Sequence, residues 1–395
     1  MPSANSSRVV LTENWQESGF GLYIHWPFCA AKCPYCDFNS HVSARIDQDR
    51  WKQAYIREIA RLGEITEGRI LSTVFFGGGT PSLMNGDVVK AILDEVRRNW
   101  RLSNNAEITL EANPTSVDAG RFAAYREAGV NRLSIGIQAL NNEDLRLLGR
   151  LHSVEEARAA FQTARDIFPR ISFDLIYARQ NQTLADWKTE LLTALDQAVD
   201  HLSLYQLTVE EGTAFGDRYD AGKLRGLPDE DLATEMYEAT QEITEAAGFP
   251  AYEVSNHARD GEESSHNLIY WRYGDYVGIG PGAHGRLSLD GDRLATEAYR
   301  APGKWLAAVE SGSTSEHPIQ KLSTEDVLSE TLLMGLRLRE GLPVHRFVSL
   351  ADDRIHQNIA ETKELGMLTE ENGNLALTEK GRPLLNAVLR KILDT

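Results

Sequence analysis

The stretch Tyr23-Ile-His-Trp-Pro-Phe-Cys29-Ala-Ala-Lys-Cys33-Pro-Tyr-Cys36 begins in an apolar run and ends in a loop that holds all three cysteines of this 395-residue chain. Three cysteines this close together leave no disulfide framework across the fold. Thiolates are soft ligands for zinc, copper or iron–sulfur clusters, and zinc and a cubane cluster each normally take four ligands. The spacing therefore predicts a metal site with one position left over, which His25 or His41 would fill in a structural zinc site.

Outward from this loop, strand-like runs alternate with segments of helical periodicity. The six strand-like runs are apolar, β-branched or aromatic: Leu22–Ile24, Thr73–Phe76, Ile108–Leu110, Leu133–Ile137, Ile171–Ile176 and Leu202–Leu207. The helical segments between them are Trp51–Leu62, Val88–Trp100, Ala119–Ala128, Val154–Asp166 and Leu184–Ala198. Continuous apolar runs joined by helices indicate parallel strands, so the predicted fold class is α/β.

Groups that can bind or react accompany each of these runs. After the cysteines of the first run they are, in chain order, Gly77–Thr80, Glu111 with Asn113, Gln138, Asp174 and Gln206. Barrel enzymes carry their chemistry at the carboxyl ends of the strands. Six units instead of eight predict a partial (β/α)6 TIM-like barrel, open on one side and able to admit a large ligand.

The last hundred or so residues have a different pattern. Thr324–Arg337 and Asp353–Leu365 have helical spacing, Met367–Thr378 contains a hairpin signal at Asn372-Gly373, and a further helix is expected from Glu379. Asp290–Arg293 is expected to be a polar turn. We therefore predict a lead-in over 1–19, a core barrel over 20–287 and a smaller helical, winged-helix-like domain over 288–395.

The charge balance bears on the partners of the chain. The 41 basic and 58 acidic residues give a net charge of −17, the wrong sign for a protein that gains affinity from phosphate contacts. We expect no nucleic-acid partner, and we expect the winged-helix-like domain to serve as a packing or partner surface. The sequence has no run of ~18 apolar residues and no apolar stretch typical of a secretory signal, so a cytoplasmic location without a transmembrane segment is expected.

The cysteine loop after the first strand, combined with Gly77-Gly78-Gly79-Thr80-Pro81 after the second, resembles the radical S-adenosylmethionine superfamily. The resemblance extends over most of the first 285 residues and is closest to the oxygen-independent coproporphyrinogen III oxidase family, through Leu110-Glu-Ala-Asn-Pro114, Gly136-Ile-Gln138, Arg150 and Asp174-Leu-Ile-Tyr177. It implies that Cys29, Cys33 and Cys36 bind a [4Fe–4S] cluster, and that the cluster in turn holds S-adenosylmethionine. The radical chemistry of such proteins belongs to these cofactors.

The same resemblance implies a set of S-adenosylmethionine contacts: Tyr23, Tyr35, Gly78, Gly79, Thr80, Glu111, Gln138, Arg150 and Asp174. The ligand offers a ribose diol to carboxylates and amides, a carboxylate to Arg150, and an adenine to the side chain of Tyr35. Taken singly, Glu111 and Asp174 could equally pair with neighbouring cations, and Gln138 could be an ordinary satisfied polar group. Their shared position at strand ends favours the binding role.

Two roles compete within this family. The oxidase carries a fourth cysteine two residues after the third, where this chain has Phe38, and it has a longer arm before the cluster motif than the 28 residues that precede Cys29 here. Both features resemble instead the haem chaperone branch, whose members bind haem and pass it to acceptor proteins. Haem carriage is the expected function; the alternatives are oxygen-independent coproporphyrinogen III oxidation and a radical reaction on another tetrapyrrole.

The segment His266-Asn267-Leu-Ile-Tyr270-Trp271 resembles the H-N-x-x-Y-W motif of the haem-binding relatives. An imidazole is a good axial ligand for haem iron, and aromatic side chains pack against a porphyrin face. Without the family context, a histidine among aromatics would more often anchor a domain boundary. With it, His266 is the expected iron ligand, Asn267, Tyr270 and Trp271 are expected in the haem site, and His284 is a second candidate ligand.

One loop departs from the family pattern. Residues 178–183 are Ala-Arg-Gln-Asn-Gln-Thr, where the family usually has Gly-Leu-Pro-Gly-Gln-Thr. Loss of both glycines and the proline predicts a different backbone, which leaves Asp174 unaffected. Arg179 in this loop is a candidate partner for a haem propionate.

Overall fold

The structure, a computed structural model, describes residues 14–116 and 118–393. Residues 1–13 of the expected lead-in lie outside the described residues. A short helix, α1 (Asn14–Ser18), leads directly into the first strand of the sheet. Within the described ranges, none of the helices combines the length and the apolar character that crossing a membrane requires.

Six parallel strands form the centre of the main sheet and neighbour one another in chain order. They are β1 (Phe20–Trp26), β2 (Ile70–Gly78), β3 (Arg101–Ala112), β4 (Arg132–Gln138), β5 (Arg170–Tyr177) and β6 (His201–Gln206). Each contains the apolar run predicted for it, except that β6 ends one residue earlier. The α/β fold class with a partial, TIM-like parallel barrel is confirmed.

Helices join these strands, as the periodicity predicts. They are α2 (Gln48–Ile65), α3 (Gly86–Asn99), α4 (Ala119–Ala128), the short α5 (Asn142–Leu147), α6 (Val154–Ile167) and α7 (Leu184–Gln197). Local side-chain chemistry sets where several of them begin. Ser153 and Glu156 form a reciprocal capping box at the start of α6, and Thr183 and Asp186 do the same for α7.

The sheet extends on both sides of these six strands. After α8 (Ala214–Asp220) and α9 (Glu230–Ala246), β7 (Asn256–Ala258) pairs antiparallel with β6. Helix α10 (Ser265–Trp271) then leads to β8 (Asp275–Ile279), which pairs parallel with β1. Antiparallel strands β9 (His284–Leu289), β10 (Asp292–Glu297) and, after α11 (Pro302–Ser311), β11 (Gln320–Lys321) complete that edge.

The expected polar turn at Asp290–Arg293 is correct only in its first half. Asp290 and Gly291 have positive φ and turn the chain, but Arg293 lies inside β10 and is 1% exposed. Its guanidinium pairs with the fully buried Asp275, which also accepts from Arg69 at 2.5 Å. The prediction was wrong there because a charged residue next to a turn normally lies in solvent, whereas this one has a carboxylate partner 18 residues away in the chain.

The C-terminal residues form a helical unit with a small three-stranded sheet. Its elements are α12 (Thr324–Gly335), β12 (Leu342–Pro343), α13 (Asp353–Glu364), β13 (Leu368–Glu371), β14 (Asn374–Leu377) and α14 (Leu385–Leu393). Fully buried Leu332, Leu375 and Ile392 belong to a core separate from that of the barrel. The hairpin at Asn372-Gly373 is confirmed, whereas the last helix begins at Leu385 rather than at 379, after a 3-10 turn that contains a proline.

Hydrogen bonds and an ion pair join this C-terminal unit to the barrel around the end of α10. Glu340 accepts two hydrogen bonds from Arg272, at 2.7 and 3.0 Å, and Arg346 donates to the carbonyl of Arg272 and, at 2.6 Å, to the hydroxyl of Ser18. The expected boundary between residues 287 and 288 falls within β9, so the main sheet continues past it. The division into domains at that point stays a prediction.

Candidate functional site

The cysteine loop begins where β1 ends. Phe28 and Cys29 pair in parallel with His41 and Val42, which folds the intervening residues into a closed loop. Within it the amide of Cys36 donates to the carbonyl of Cys33 at 3.1 Å. Cys29 is 8% exposed, and the other two cysteines are partly exposed. The loop therefore presents all three thiols at the carboxyl end of the first barrel strand.

Two hydrogen bonds reach the sulfur atoms, one from the glycine-rich loop after β2 and one from the loop between α5 and α6. The hydroxyl of Thr80 donates to Sγ of Cys29 at 3.4 Å, and Nη1 of Arg150 donates to Sγ of Cys33 at 3.4 Å. Burial raises the pKa of the Cys29 and Cys36 thiols, and hydrogen bonds such as the one from Thr80 oppose that rise. Bound metal has to displace the thiol protons, since the thiolate is the ligand form.

His25, one of the two candidates for a fourth zinc ligand, is already engaged. Its Nδ1 lies 3.1 Å from the hydroxyl of Tyr23, and its Nε2 lies 2.9 Å from the carbonyl oxygen of Asn39. Nε2 of His41 lies 3.2 Å from the side-chain oxygen of Asn39. In the ranges 14–116 and 118–393, no three His, Cys, Asp or Glu side chains converge in a way that would hold a single metal ion.

The glycine-rich loop after β2 lies directly against the cysteine loop. The amide of Gly79 donates to the carbonyl of Trp26 at 2.7 Å, and the amide of Thr80 donates to the carbonyl of Phe28 at 2.8 Å. Gly78 has φ +108°, and a Cβ at Gly79 would lie 2.7 Å from the carbonyl oxygen of Phe28. Glycine is required here because backbone approaches backbone more closely than any side chain permits.

Two carboxyl groups face the same end of the barrel from β3 and β5. Burial, and then the negative charge of Asp174, raise the pKa of Glu111 to about 8, although a hydrogen bond from the Gly78 amide opposes the rise. Burial also raises the pKa of Asp174 to about 6, and the Ser134 hydroxyl donates to this carboxyl at 3.4 Å. Like charges that share a water-poor site favour the protonated form of one partner. Neither carboxyl group is paired with a cation at hydrogen-bond distance in the described residues.

Gln138 and Arg150 carry polar atoms without partners in the part of the chain that the structure describes. Gln138 closes β4 with φ +78°, and its side-chain oxygen is buried with no hydrogen bond. Arg150 donates to the carbonyl of Gly136 at 2.7 Å, but its Nε is buried and unbonded. Orphaned buried polar atoms are rare in native proteins and indicate a ligand or water that would satisfy them. The donor and acceptor set here fits a polar ligand such as S-adenosylmethionine.

The remaining predicted contacts belong to the same region. The Tyr35 ring, on the cysteine loop, packs against Phe215 with the ring centroids 6.3 Å apart. Burial raises the pKa of Tyr35 and of Tyr23 above the usual range. The structure thus brings every predicted S-adenosylmethionine contact to the carboxyl end of the barrel, as expected for side chains at parallel strand ends.

Helix α10 carries the histidine motif and is anchored at its start. The Glu107 carboxylate accepts from the amides of Ser265 and His266, at 3.3 and 3.1 Å, and Ser264 caps the helix by accepting from the amide of Asn267 at 3.4 Å. A carboxylate at a helix N-terminus satisfies donors that lack a partner within the helix. The side-chain amide of Asn267 donates to the hydroxyl of Tyr252 at 3.3 Å. The segment is therefore helical, which places His266 and Tyr270, four residues apart, on the same face.

His266 lies within the protein and is 1% exposed. Its Nδ1 lies 2.6 Å from the Thr73 hydroxyl, its Nε2 lies 2.7 Å from the Tyr270 hydroxyl, and its ring stacks on Phe75 with the centroids 4.9 Å apart. Burial lowers its pKa to about 3, so the imidazole is neutral. Ligation of iron by His266 stays a prediction, and it would require one of these two hydrogen bonds to break.

A cavity of about 530 Å³ opens beside the S-adenosylmethionine region. This volume lies in the range of ordinary small-molecule and cofactor pockets. Of the four residues of the histidine motif that were expected at haem, Tyr270 and Trp271 line it, whereas His266 and Asn267 do not. The wall also includes Tyr23, His25, Phe38, Asn39, Gly78, Glu111, Tyr273, Tyr276, His284, Arg286, Arg300, Glu330 and Met334.

Sequence reasoning missed several of these wall residues. Glu330 and Met334 come from α12 of the C-terminal unit, Arg286 comes from β9, and Arg300 comes from the segment between β10 and α11. None of the four belongs to a recognisable motif. They meet only because the C-terminal unit packs beside β9, where the Arg286 guanidinium pairs with Glu330 at 2.8 Å.

The loop at 178–183, which departs from the family pattern, is stabilised by ion pairs of Arg179 with Asp144 and Glu190. Nη2 of Arg179 lies 2.6 Å from carboxylate oxygens of both Asp144 and Glu190, and Arg179 is 3% exposed. Glu190 also accepts from the side-chain amide of Gln182 at 3.2 Å. The suggestion that Arg179 meets a haem propionate is wrong, because its charge is already matched by two protein carboxylates. Ala178 and Asn181, which stand where the family has its two glycines, have φ of +57° and +58°, so the backbone stays left-handed at both positions and the prediction of a different backbone is wrong there.

Comparison with known protein families gives two matches that together span most of the chain. A model described as the radical SAM superfamily matches residues 23–192, and a model described as the HemN C-terminal domain matches residues 322–384. The first match contains the cysteine loop, the glycine-rich loop and the strand-end groups as far as Asp174, and it ends before Gln206. The second coincides with most of the C-terminal unit.

Curated relatives match the chain almost from end to end. The protein named heme chaperone HemW of Escherichia coli K12 is 38% identical over 383 residues, with 94% of this chain and 97% of that protein covered. The HemW of Mycobacterium tuberculosis H37Rv is 36% identical, with 95% of each chain covered. The Danio rerio protein named radical S-adenosyl methionine domain-containing protein 1, mitochondrial, is 37% identical, with 94% of this chain and 86% of that protein covered.

Among solved structures, the coproporphyrinogen III oxidase HemN of Escherichia coli, described as a radical SAM enzyme, superposes with a TM-score of 0.81. The superposition covers 96% of this chain and 91% of that chain at 22% sequence identity. At this identity the likeness shows the fold alone. It accounts for the partial barrel and for the C-terminal unit that packs beside it.

Proposed function

Because the chain belongs to the HemW family of the radical S-adenosylmethionine superfamily, we propose that it is a haem chaperone, which binds haem and passes it to acceptor proteins. Relatives that carry the chaperone name match almost the whole chain. The acceptors expected from this role are haem proteins, such as those of respiration. Nucleic acid is not proposed as a partner, since the net charge of −17 disfavours it.

The observation that carries the proposal is the cavity of about 530 Å³. Its wall combines the aromatic end of the histidine motif, Tyr270 and Trp271, with Phe38 of the cysteine loop. A porphyrin is a large, flat, apolar ring with carboxylate edges, and aromatic walls with nearby cations are complementary to it. Phe38 occupies the position at which the oxidase has its fourth cysteine, so this chain has an apolar surface where the oxidase has a thiol.

We further propose that Cys29, Cys33 and Cys36 hold a [4Fe–4S] cluster. The hydrogen bonds from Thr80 and Arg150 to two of the sulfur atoms support this assignment, since donors near thiolates stabilise their charge. When bound, the cluster supplies an electron for reductive cleavage of S-adenosylmethionine. The contribution of the chain is to position both groups beside the cavity.

S-adenosylmethionine is proposed to bind across Gly78, Gly79 and Thr80, with Tyr23, Tyr35, Glu111, Gln138, Arg150 and Asp174 around it. The unpaired oxygen of Gln138 and the unpaired Nε of Arg150 support this placement, because a ligand with both donors and acceptors would satisfy them. Tyr23, Gly78 and Glu111 also line the cavity. Haem and S-adenosylmethionine would therefore be neighbours.

The experiment that tests the function uses the full chain, reconstituted anaerobically with iron and sulfide. It is mixed with haem, then with apomyoglobin as a haem acceptor, and separately with coproporphyrinogen III, S-adenosylmethionine and a reductant. We expect a haem absorption spectrum that moves to apomyoglobin, and no conversion of the porphyrinogen. Formation of protoporphyrinogen IX would replace the chaperone proposal by the oxidase alternative.

Two further assignments are tested separately. Replacement of Cys33 by serine is expected to lower the iron and sulfide content after reconstitution, and an unchanged content would contradict the cluster assignment. The proposed cytoplasmic location is tested by fractionation of cells that express the tagged chain. Recovery with the membrane pellet would contradict it.

A further inference from the structure

We infer that His284, rather than His266, is the side chain that ligates haem iron. The inference rests on the proposed haem carriage and adds to it the identity of the ligand. It depends on where the two imidazoles lie relative to the cavity and on what already binds their ring nitrogens.

His266 has no ring nitrogen available to a metal without loss of a hydrogen bond. Both of its ring nitrogens lie within hydrogen-bond distance of hydroxyl groups, at 2.6 Å from Thr73 and 2.7 Å from Tyr270, and the ring is 1% exposed between Phe75 and Tyr23. Ligation would break one of these bonds and leave the hydroxyl of Thr73 or of Tyr270 without its partner. In this arrangement His266 positions the hydroxyl end of Tyr270, which does line the cavity.

His284 lies in the cavity wall with its ring nitrogens available. It is the first residue of β9, its side chain lines the cavity, and it is exposed. Its ring makes no hydrogen bond to any residue in 14–116 or 118–393. Its backbone is fixed, because it pairs with Glu297 across β10 and because the carbonyl of His284 lies against Gly278 of β8. A free imidazole on a rigid strand is the arrangement that iron ligation requires.

The third observation is the set of charges that face His284. Partial desolvation of its ring in the cavity wall lowers its pKa, Arg286 and Arg300 lower it further, and Glu297 opposes them; the neutral imidazole is the form that binds metal. Arg286 is already paired with Glu330 at 2.8 Å. Arg300 is exposed on the cavity rim and has no carboxylate within salt-bridge distance in the described residues. It can therefore pair with a haem propionate without losing another partner.

The fourth observation is the apolar surface beside the imidazole. Trp271 and Phe38 line the same cavity from the end of α10 and from the cysteine loop, and Phe38 is 57% exposed. A flat apolar ligand in the cavity would remove part of this aromatic surface from water. The imidazole, the aromatic walls and the unpaired guanidinium together complement iron, porphyrin and propionate.

The test measures haem titrations of the reconstituted full chain by absorption spectroscopy, for wild type and for the variants His284→Ala, His266→Ala and His356→Ala. His356 is an exposed histidine on α13, outside the cavity wall, and serves as the matched control. We expect at least a tenfold weaker affinity and an altered spectrum for H284A, with restoration of the spectrum by added imidazole. H266A is expected to keep the wild-type haem spectrum and to unfold at a lower urea concentration.

The outcomes separate the inference from the proposed function. Absence of haem binding by wild type would overturn the haem chaperone proposal itself. Haem binding by wild type together with an unchanged spectrum and affinity in H284A would overturn the inference alone. Loss of the haem spectrum in H266A, at a urea concentration where that variant is folded, would also overturn it and would return the ligand to His266.

Discussion

Replacement of Gly79 by alanine tests a tightly constrained contact in the site, which joins the glycine-rich loop to the cysteine loop. The new Cβ would lie 2.7 Å from the carbonyl oxygen of Phe28 and 3.0 Å from its carbonyl carbon and its nitrogen. All three atoms belong to backbone, so no side-chain rotation relieves the contact. One of the two loops has to move.

The size of the effect follows from the geometry. Ordinary van der Waals contact begins near 3.4 Å, so the loops must separate by about 0.7 Å. That shift lengthens the hydrogen bond from the Thr80 amide to the Phe28 carbonyl, now 2.8 Å, and the one from the Thr80 hydroxyl to Sγ of Cys29, now 3.4 Å. Overpacking of this kind costs about 1–3 kcal/mol. If the whole of this cost opposes formation of the complex, the affinity for S-adenosylmethionine falls by about 5- to 150-fold.

The assay is equilibrium binding of S-adenosylmethionine to the anaerobically reconstituted protein, with iron and sulfide determined on the same sample. Gly303→Ala is the matched control, since a Cβ at Gly303 in α11 meets no atom within 4 Å. The control is expected to bind as wild type does. If G79A kept its cluster and bound S-adenosylmethionine within twofold of wild type, the claim that this loop forms the binding surface would be refuted.

Three further predictions concern single side chains. Arg179→Gln leaves the partly exposed carboxylate of Asp144 and the more deeply placed one of Glu190 without their cation, so the free energy of unfolding in urea is expected to fall by about 3 kcal/mol; a loss below about 1 kcal/mol would contradict a structural role. The pKa of Glu111 rises from 4.5 to about 8 on folding, so the folded apoprotein holds a proton that the unfolded chain releases, and the unfolding free energy is expected to fall as pH rises between these values. Glu111→Gln should reduce that slope, and an identical slope in the variant would exclude Glu111 as its source. Phe38→Ala should change stability by no more than about 0.5 kcal/mol, because the ring is 57% exposed, yet weaken haem binding several-fold; equal haem affinity would exclude the contact.

Much of the barrel could be predicted from the sequence, because its signals are local. Apolar runs of strand length alternate with helical periodicity from Leu22 onward, and parallel strand ends necessarily meet at one edge of a sheet. The side chains predicted for S-adenosylmethionine therefore come together as expected. Strand β8 was missed, since its sequence, Asp275–Ile279, is short and leads into a glycine-rich segment that has the composition of a loop.

Other features depend on contacts between residues far apart in the chain. The sequence suggested that Arg179 is available to bind a propionate, but the fold pairs it with Asp144 and Glu190. Arg293 appeared to belong to a polar turn, but the fold buries it against Asp275. No local pattern indicates either pairing, because a charged residue is normally exposed unless a partner that the fold supplies compensates its burial.

The sequence by itself determined the α/β class, the order of the strands, the cysteine and glycine-rich loops and the family to which the chain belongs. Only the tertiary structure decided that His284 lines the cavity and His266 does not. His266 carries the motif, yet Thr73, 193 residues away, engages its ring, whereas the ring of His284 is left without a hydrogen bond in the described residues. A motif specifies a residue type at a position, but the availability of an imidazole nitrogen depends on what the rest of the fold places beside it.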